Sequence, residues 1–220
     1  VSQSGETLDT LVAAKEAKQK GAKVLAIANV IGSAIPRMAD ATFYTHAGPE
    51  VAVASTKAFL AQITAAYLLG LYLAQLRGGT FADDAKAVMT ELREMPEKIQ
   101  EVLDRMDRVI EMANFMADTR SVLFLGRHVG FPIALEGALK LKEIAYIHAE
   151  GFAAGELKHG PIALIEPGQP VFVIVPSPDT PHELHKKVVS NIQEIRARGA
   201  RTLVIAHDGD EDVEPFASEI

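Results

Sequence analysis

Apolar and polar positions along the chain alternate between two periods. Near-continuous apolar runs occur at 23–28 (KVLAIA), 120–126 (RSVLFLG), 171–175 and 201–206. That is the pattern of strands buried on both faces in a parallel sheet. Between them lie longer stretches with helical spacing. The helix predicted over 7–20 is closed by Gly21 and that over 56–77 by Gly78-Gly79; two more are predicted over 129–145 and 180–198. A short helix is predicted around Pro36–Ala39, a short strand at 41–45 and a loop at 46–55. Residues 148–160 read as loop or extended chain, with Pro161 opening a short helix. Strands alternating with helices define an α/β chain of parallel sheets flanked by helices on both faces, a three-layer αβα arrangement. Right-handed crossovers then bring the strand-end turns to one edge of each sheet.

The pattern repeats. Residues 1–29 (VSQSGETLDTLVAAKEAKQKGAKVLAIAN) and 175–207 (VPSPDTPHELHKKVVSNIQEIRARGARTLVIAH) each run from a strand end through a polar turn and a helix to Gly-Ala, then into an apolar strand. Two copies of one unit are implied. The second copy is preceded by a strand, a helix and another strand over 121–174, and the first by nothing, so the expectation is a piece of a longer chain. The predicted division is a first domain over 1–79, a charged helical connector over 80–118 with Pro96 marking a helix start, and a second domain over 119–220.

One segment stands apart. Residues 59–76 (FLAQITAAYLLGLYLAQL) carry no charge, a length that makes a membrane span conceivable. Gln62, Thr64 and Gln75 and the many small residues favour instead a helix buried on nearly all sides, in a core or a subunit interface. The chain has 220 residues, 48% of them hydrophobic, room for two domain cores. Its net charge of −7 argues against nucleic acid as a partner. With no cysteine, thiolate metal sites and cysteine nucleophiles are excluded within it.

Ser2-Gln3-Ser4-Gly5-Glu6-Thr7 falls where a strand ends and a helix begins. A helix N-terminus offers unpaired N–H groups and a partial positive charge suited to an anion. Ser2, Ser4 and Thr7 add hydroxyls, Gln3 an amide, and Gly5 lets the backbone approach closely. The plainer reading is an ordinary Ser/Thr cap followed by Glu, but the turn holds more hydroxyls than a cap needs. Its counterpart, Pro176-Ser177-Pro178-Asp179-Thr180, lacks the glycine and carries an acid, so it should repel an anion.

Glu136, Lys140 and Glu143 are four and three apart and share one helical face. Either they form a solvated salt-bridge stripe, or, since the rest of that helix is apolar, they mark a cleft where a carboxylate transfers protons. Spacing alone does not choose. His159 sits between breakers in Gly155-Glu156-Leu157-Lys158-His159-Gly160-Pro161 and is placed to exchange protons near neutral pH, or is simply a surface histidine. His182 and His185 are expected on a helix surface, and His128 and His207 at a sheet edge. No histidine pair has convincing metal spacing, so no metal is predicted.

The phrases SQSGET, VASTKAF, ALEGALKLKE, HAE and GELKHGP, in this order and spacing, resemble the sugar-isomerising part of the glutamine–fructose-6-phosphate aminotransferase family, which carries tandem SIS domains of flavodoxin-like fold. The resemblance covers nearly the whole chain. It implies that Ser2, Gln3, Ser4 and Thr7 hold a substrate 6-phosphate and that Val53 and Ser55 contact the sugar. It implies that Glu143 moves a proton between C1 and C2. It implies that His159 helps open the ring, reaching the site from the other subunit of a homodimer, and that Lys140 lies near the sugar hydroxyls with Glu136 as its partner. The implied activity converts fructose 6-phosphate and ammonia to glucosamine 6-phosphate, with glucose 6-phosphate as a related ligand. The implied setting is the cytoplasm, without cofactor, metal, nucleic acid or membrane, and with ammonia supplied by a glutaminase domain.

The family's Cys-Gly-Thr-Ser phosphate segment and C-terminal tail lysine have no match in this sequence, nor does the glutaminase domain, so the segment is expected to be incomplete for turnover. Two other readings share part of the pattern: a different tandem-SIS deaminase or deglycase acting on amino-sugar phosphates, and a non-catalytic sugar-phosphate sensor.

Overall fold

A computed structural model describes residues 1–79 and 82–218. The side chains of Ala82 and His182 fall outside that description, and with them the expected placement of His182. The chain forms two units, Val1–Met106 and Asp107–Ile220.

In the first unit, Ser2 pairs with Ala28 as an isolated parallel bridge, its N–H donating to Ile27 O at 2.9 Å. The chain then turns into α1 (Leu8–Gln19), crosses to β1 (Leu25–Ala28), passes through α2 (Ala34–Met38) and enters β2 (Ala41–Tyr44). β1 and β2 run parallel, with Leu25 opposite Ala41. Ala26, Ile27 and Ala28 are buried, as the apolar run required. Helices α3 (Lys57–Leu76) and α4 (Ala82–Leu103) complete the unit.

The second unit contains α5 (Asp107–Met116), β3 (Ser121–Gly126), α6 (Gly130–Ala145), β4 (His148–Ala153), β5 (Pro170–Ile174), α7 (Leu184–Ala197) and β6 (Arg201–Ile205). Its four strands are all parallel in the order β4-β3-β5-β6. Alternation along β3 divides the core into two layers. Leu123 and Leu125 face Val188, Ile192 and Ile195 of α7 together with Leu157. Val122 and Phe124 face Ala134 and Ala138 of α6 and Met116 of α5. Phe124 stacks on Phe172 with ring centroids 4.7 Å apart. The tandem parallel α/β architecture is therefore as the periodicity indicated, with a two-stranded and a four-stranded sheet among the described residues.

Three helices differ from expectation. Pro96 is expected to mark a helix start but lies inside α4. Burial on nearly all sides is the expectation for α3, yet within this unit only Ala58 and Ala65 are buried, and Tyr67, Tyr72 and Leu76 are more than half exposed. It packs mainly on β1 and α4 and leaves much of its apolar circumference exposed within this unit. By length and composition it is the one described helix able to cross a membrane. Helix α6, whose apolar sequence predicts burial over most of its surface, covers the sheet through Gly130, Ala134 and Ala138; Ile133, Leu135, Leu139 and Ile144 are each at least 40% exposed. Small residues at the contact let a helix lie close to a sheet, so its larger side chains point sideways and outward.

That closeness depends on Gly126. A Cβ there would stand 2.0 Å from Gly130 O and 2.7 Å from Phe131 N, both backbone atoms at the start of α6. Gly126→Ala is expected to force α6 off the sheet and destabilise the second unit by about 1–3 kcal/mol, the usual range for overpacking, measured as a lower denaturant midpoint at unchanged m-value.

Candidate functional site

The turn 2–7 is tied to its surroundings by backbone bonds on both sides. Asn29 N donates to Gln3 O at 3.1 Å, and Ile35 N to Gly5 O at 2.9 Å. Gly5 sits at φ +68, and a Cβ on it would lie 1.9 Å from Ser33 Oγ. Ser33 cannot give way easily: it is 3% exposed and its hydroxyl donates to Val30 O at 2.7 Å. Both backbone conformation and close packing therefore require glycine.

The side chains arrange themselves around this fixed turn. Ser2 Oγ accepts from Gly5 N at 3.0 Å and lies 3.4 Å from Thr7 Oγ1. Ser4 Oγ accepts from Glu6 N at 3.2 Å. Thr7 is the N-cap residue of α1 but makes no side-chain cap hydrogen bond, so it does not close the mouth of the helix. The plain-cap reading thus fails at the capping residue itself. Glu6, the acid in the motif, turns away: its Oε1 accepts from Ala34 N at 2.8 Å at the start of α2. The structure so brings Ser2, Ser4 and Thr7 into one turn, with Gln3 lining an adjoining open cavity of about 680 Å³. Asn29, Val30, Ile31, His46, Gly48, Pro49 and Glu50 form the other walls, beyond the carboxyl ends of β1 and β2, where open parallel sheets take ligands. Val53 and Ser55 lie on the loop leading into α3, Val53 99% exposed and Ser55 half-buried.

Two structural residues of this region carried no local sequence signal. Asn29 Oδ1 accepts from Thr45 Oγ1 and Ala47 N, each at 2.9 Å, while its Nδ2 donates to Gly48 O at 2.7 Å. Glu50 accepts from Thr56 N, Thr56 Oγ1 and Ala58 N at 3.1, 2.9 and 3.0 Å. The Ala58 N–H holds the Glu50 carboxyl below the ordinary glutamate range; partial burial opposes this, and Thr56 adds to the lowering.

In the second unit the stripe on α6 is formed as the spacing predicts. Lys140 Nζ stands 3.0 Å from Glu136 Oε1 and 3.0 Å from Glu143 Oε2. The three side chains are 23–33% exposed, neither solvated nor sealed. Burial alone would lower the Lys140 pKa, but the hydrogen bonds to Glu143 and Glu136 outweigh it and the net shift is upward. Lys140 therefore stays charged through neutral pH and keeps two carboxylates side by side.

His159 ends a 3-10 turn (Ala154–His159) and is exposed. Among the described residues no hydrogen bond or ion pair joins it to the α6 stripe. Its turn is pinned by Leu157, fully buried in the core, and by Lys158, 2.9 Å from Glu194 of α7. The expectation for His185 is corrected: it is 3% exposed, with Nε2 2.7 Å from Asp210 Oδ2. Its spacing to Val188, Ile192 and Ile195 puts it on the buried face of α7, a period-3.6 signal legible in the sequence. Asp212 approaches its Nδ1 at 4.0 Å, so the three residues form a His-Asp-Asp group. The second copy's turn is expected to cap its helix, but neither Thr180 nor Glu183 makes a side-chain cap bond; Pro181–Glu183 form a 3-10 turn that takes up the start of α7.

An α/β chain of two parallel-sheet units with a hydroxyl-lined turn at an open helix mouth matches a defined class of domains. A family model described as SIS domain matches residues 1–72 and 115–220, and the chain belongs to that family. It is 70% identical over 220 residues to the glutamine–fructose-6-phosphate aminotransferase (isomerizing) of Corynebacterium glutamicum, covering all of this chain and 35% of that protein. It is 62% identical to the protein of the same description from Streptomyces coelicolor, covering 36% of it. The chain thus spans about a third of the length of these curated relatives. Among solved structures, the C-terminal domain of glucosamine-fructose-6-phosphate aminotransferase from Francisella tularensis matches with a TM-score of 0.93 at 37% identity, covering 99% of this chain and 61% of that one.

If the turn is an anion site, inorganic phosphate titrated into the labelled full-length protein shifts the amide resonances of residues 4–9. Gly5→Ala is expected to weaken that response by about tenfold or more, since strained backbone of this kind costs on the order of 1–3 kcal/mol.

Proposed function

We propose that this segment is the sugar-isomerising part of an enzyme that makes glucosamine 6-phosphate from fructose 6-phosphate and ammonia. The open N-terminus of α1, with Ser2, Ser4 and Thr7 gathered around it and Glu6 drawn away, is the observation that carries the reading. The 70% identity to a named aminotransferase across the full segment supports it. A site for a phosphomonoester needs donors and partial positive charge, and this turn supplies both without lysine or arginine.

In this reading Ser2, Gln3, Ser4 and Thr7 hold the 6-phosphate, and Val53 and Ser55 contact the sugar. Ammonia adds to the C2 carbonyl of the open ketose and water leaves, giving an imine. Glu143 then takes a proton from C1 and returns one to C2; the carbons are adjacent, so one carboxylate serves both. Lys140 holds Glu143 in place across their 3.0 Å ion pair, and Glu136 is its second carboxylate partner at 3.0 Å. His159 carries the proton traffic of ring opening. We assign it to the neighbouring active site of a homodimer, consistent with its exposure and its lack of a bond to the α6 stripe. The exposed apolar surface of α3 is assigned to that same association.

The domain division of 1–79, 80–118 and 119–220 is supported by the family match, which skips residues 73–114. Ammonia is assigned to a glutaminase domain elsewhere in the full-length protein, and the enzyme to the cytoplasm.

The test follows interconversion of fructose 6-phosphate and glucose 6-phosphate, and glucosamine 6-phosphate formation, in the full-length protein. Glu143→Gln is expected to lower kcat by about 10²–10⁴-fold while sugar-phosphate binding is retained. Unchanged turnover removes Glu143 as the base. Binding with no turnover in the unsubstituted enzyme favours the sensor reading instead.

A further inference from the structure

We propose that Glu50 is a positioning residue for substrate: its carboxylate closes residues 51–55 into a fixed loop and so determines where Val53 and Ser55 stand. This rests on the reading of those two residues as sugar contacts.

The stretch 46–55 belongs to neither a helix nor a strand. It is secured at two points. Upstream, the Asn29 carboxamide binds Ala47 N and Gly48 O, fixing the chain as it leaves β2. Downstream, the Glu50 carboxylate reaches over the loop to residues six and eight positions ahead, taking Thr56 N and Oγ1 and Ala58 N. Between these clamps Ala54 is the single buried residue, while Val51 and Val53 are 91% and 99% exposed. Side chains so exposed have no packing of their own to hold the backbone. The geometry of 51–55 is therefore imposed by the bond from Glu50 to the start of α3.

That bond also replaces the ordinary helix cap. Thr56 is the N-cap residue of α3 but caps nothing with its side chain; its hydroxyl donates to Glu50 instead. Three donors converge on two carboxylate oxygens, which an ionised glutamate can accept in full. A glutamine in its place has one acceptor oxygen and turns an NH₂ toward a donor, so it can satisfy the cluster only in part. The carboxylate further gains from lying at the positive end of α3. Glu50 shares a cavity wall with Gln3 and Asn29, so a shift of the clamp alters the same space that the phosphate turn opens onto.

The experiment compares the full-length enzyme with Glu50→Ala and Glu50→Gln. It measures KM and kcat for fructose 6-phosphate, competitive inhibition by inorganic phosphate, and the thermal midpoint. Inorganic phosphate needs only the Ser2–Thr7 turn, whereas the sugar needs the loop as well. Glu50→Ala is expected to raise KM by roughly ten- to a hundredfold, the scale of a small misplacement of contacts, with kcat changed less and the phosphate inhibition constant unmoved. Glu50→Gln is expected to fall between. Should Glu50→Ala fail to fold, a KM increase in Glu50→Gln without change in phosphate inhibition supports the proposal equally. An unaltered KM overturns the proposal, as does a rise in KM matched by an equal weakening of phosphate, which would mean general damage to the unit. If the unsubstituted enzyme does not turn over fructose 6-phosphate, the functional reading fails and takes the sugar-contact role with it. A normal enzyme with an unchanged Glu50→Ala KM sinks the Glu50 assignment alone.

Discussion

The first unit depends on one tightly constrained passage of backbone, the left-handed turn at Gly5 pressed against Ser33. Everything near the mouth of α1 follows from it. The turn lets the chain leave its bridge to Ala28, reverse, and enter a helix whose first residues are not capped by Thr7. The bonds from Asn29 N and Ile35 N lock that geometry from the β1 and α2 sides; the Ser2 and Ser4 hydroxyls accept from backbone N–H groups of the turn, and the Ser2 and Thr7 hydroxyls meet at 3.4 Å. A turn preorganised this way would not spend binding energy on ordering its donors, which is how the proposed site could hold an anion with neutral groups.

The two copies of the repeat show what that constraint is for. Both reach a strand end and then a helix, but the second has Pro178 and Asp179 where the first has Gly5 and Glu6. Its helix begins late, after a 3-10 turn at Pro181–Glu183. No left-handed glycine opens it, and an acid stands in the turn. In the proposed reading the same supersecondary unit serves as a ligand turn in one place; in the other it serves packing, where α7 buries Val188, Ile192 and Ile195 against β3 and β5. The chemistry-bearing residues of the second unit sit instead on α6, a helix whose small inner face leaves its flank accessible.

The strands and helices are readable from sequence because each is governed by local period. β1, β3, β5 and β6 are short apolar runs, and α1, α6 and α7 fall within a few residues of where their breakers place them. The α6 stripe is readable for the same reason: three- and four-residue spacing fixes a helical face whatever lies around it. Burial is harder to infer. The apolar length of α3 suggests a helix covered in a core or a subunit interface, but the neighbours that cover it are not encoded in its own sequence. His185 shows the opposite failure, since its period places it inward and its polarity suggests outward; Asp210 decides the matter by supplying a buried partner. The roles of Asn29 and Glu50 have no period to reveal them, because their bonds span loops whose shape exists only in the fold.

The carboxylates of this region bear directly on the proposed anion site. The chain carries a net charge of −7, and the cavity beside the turn is lined by neither lysine nor arginine. Glu6 and Glu50 both border the region, and left unpaired each would repel a phosphate across a short distance. Neither is unpaired. Glu6 accepts from Ala34 N at the start of α2, and Glu50 from Thr56 and Ala58 at the start of α3. Backbone N–H groups at those helix starts disperse the two negative charges, while the N-terminus of α1, not capped by the Thr7 side chain, keeps N–H groups for the ligand proposed there. Selectivity for an anion in such a place comes from which helix ends are already occupied by side-chain oxygens and which one is left open.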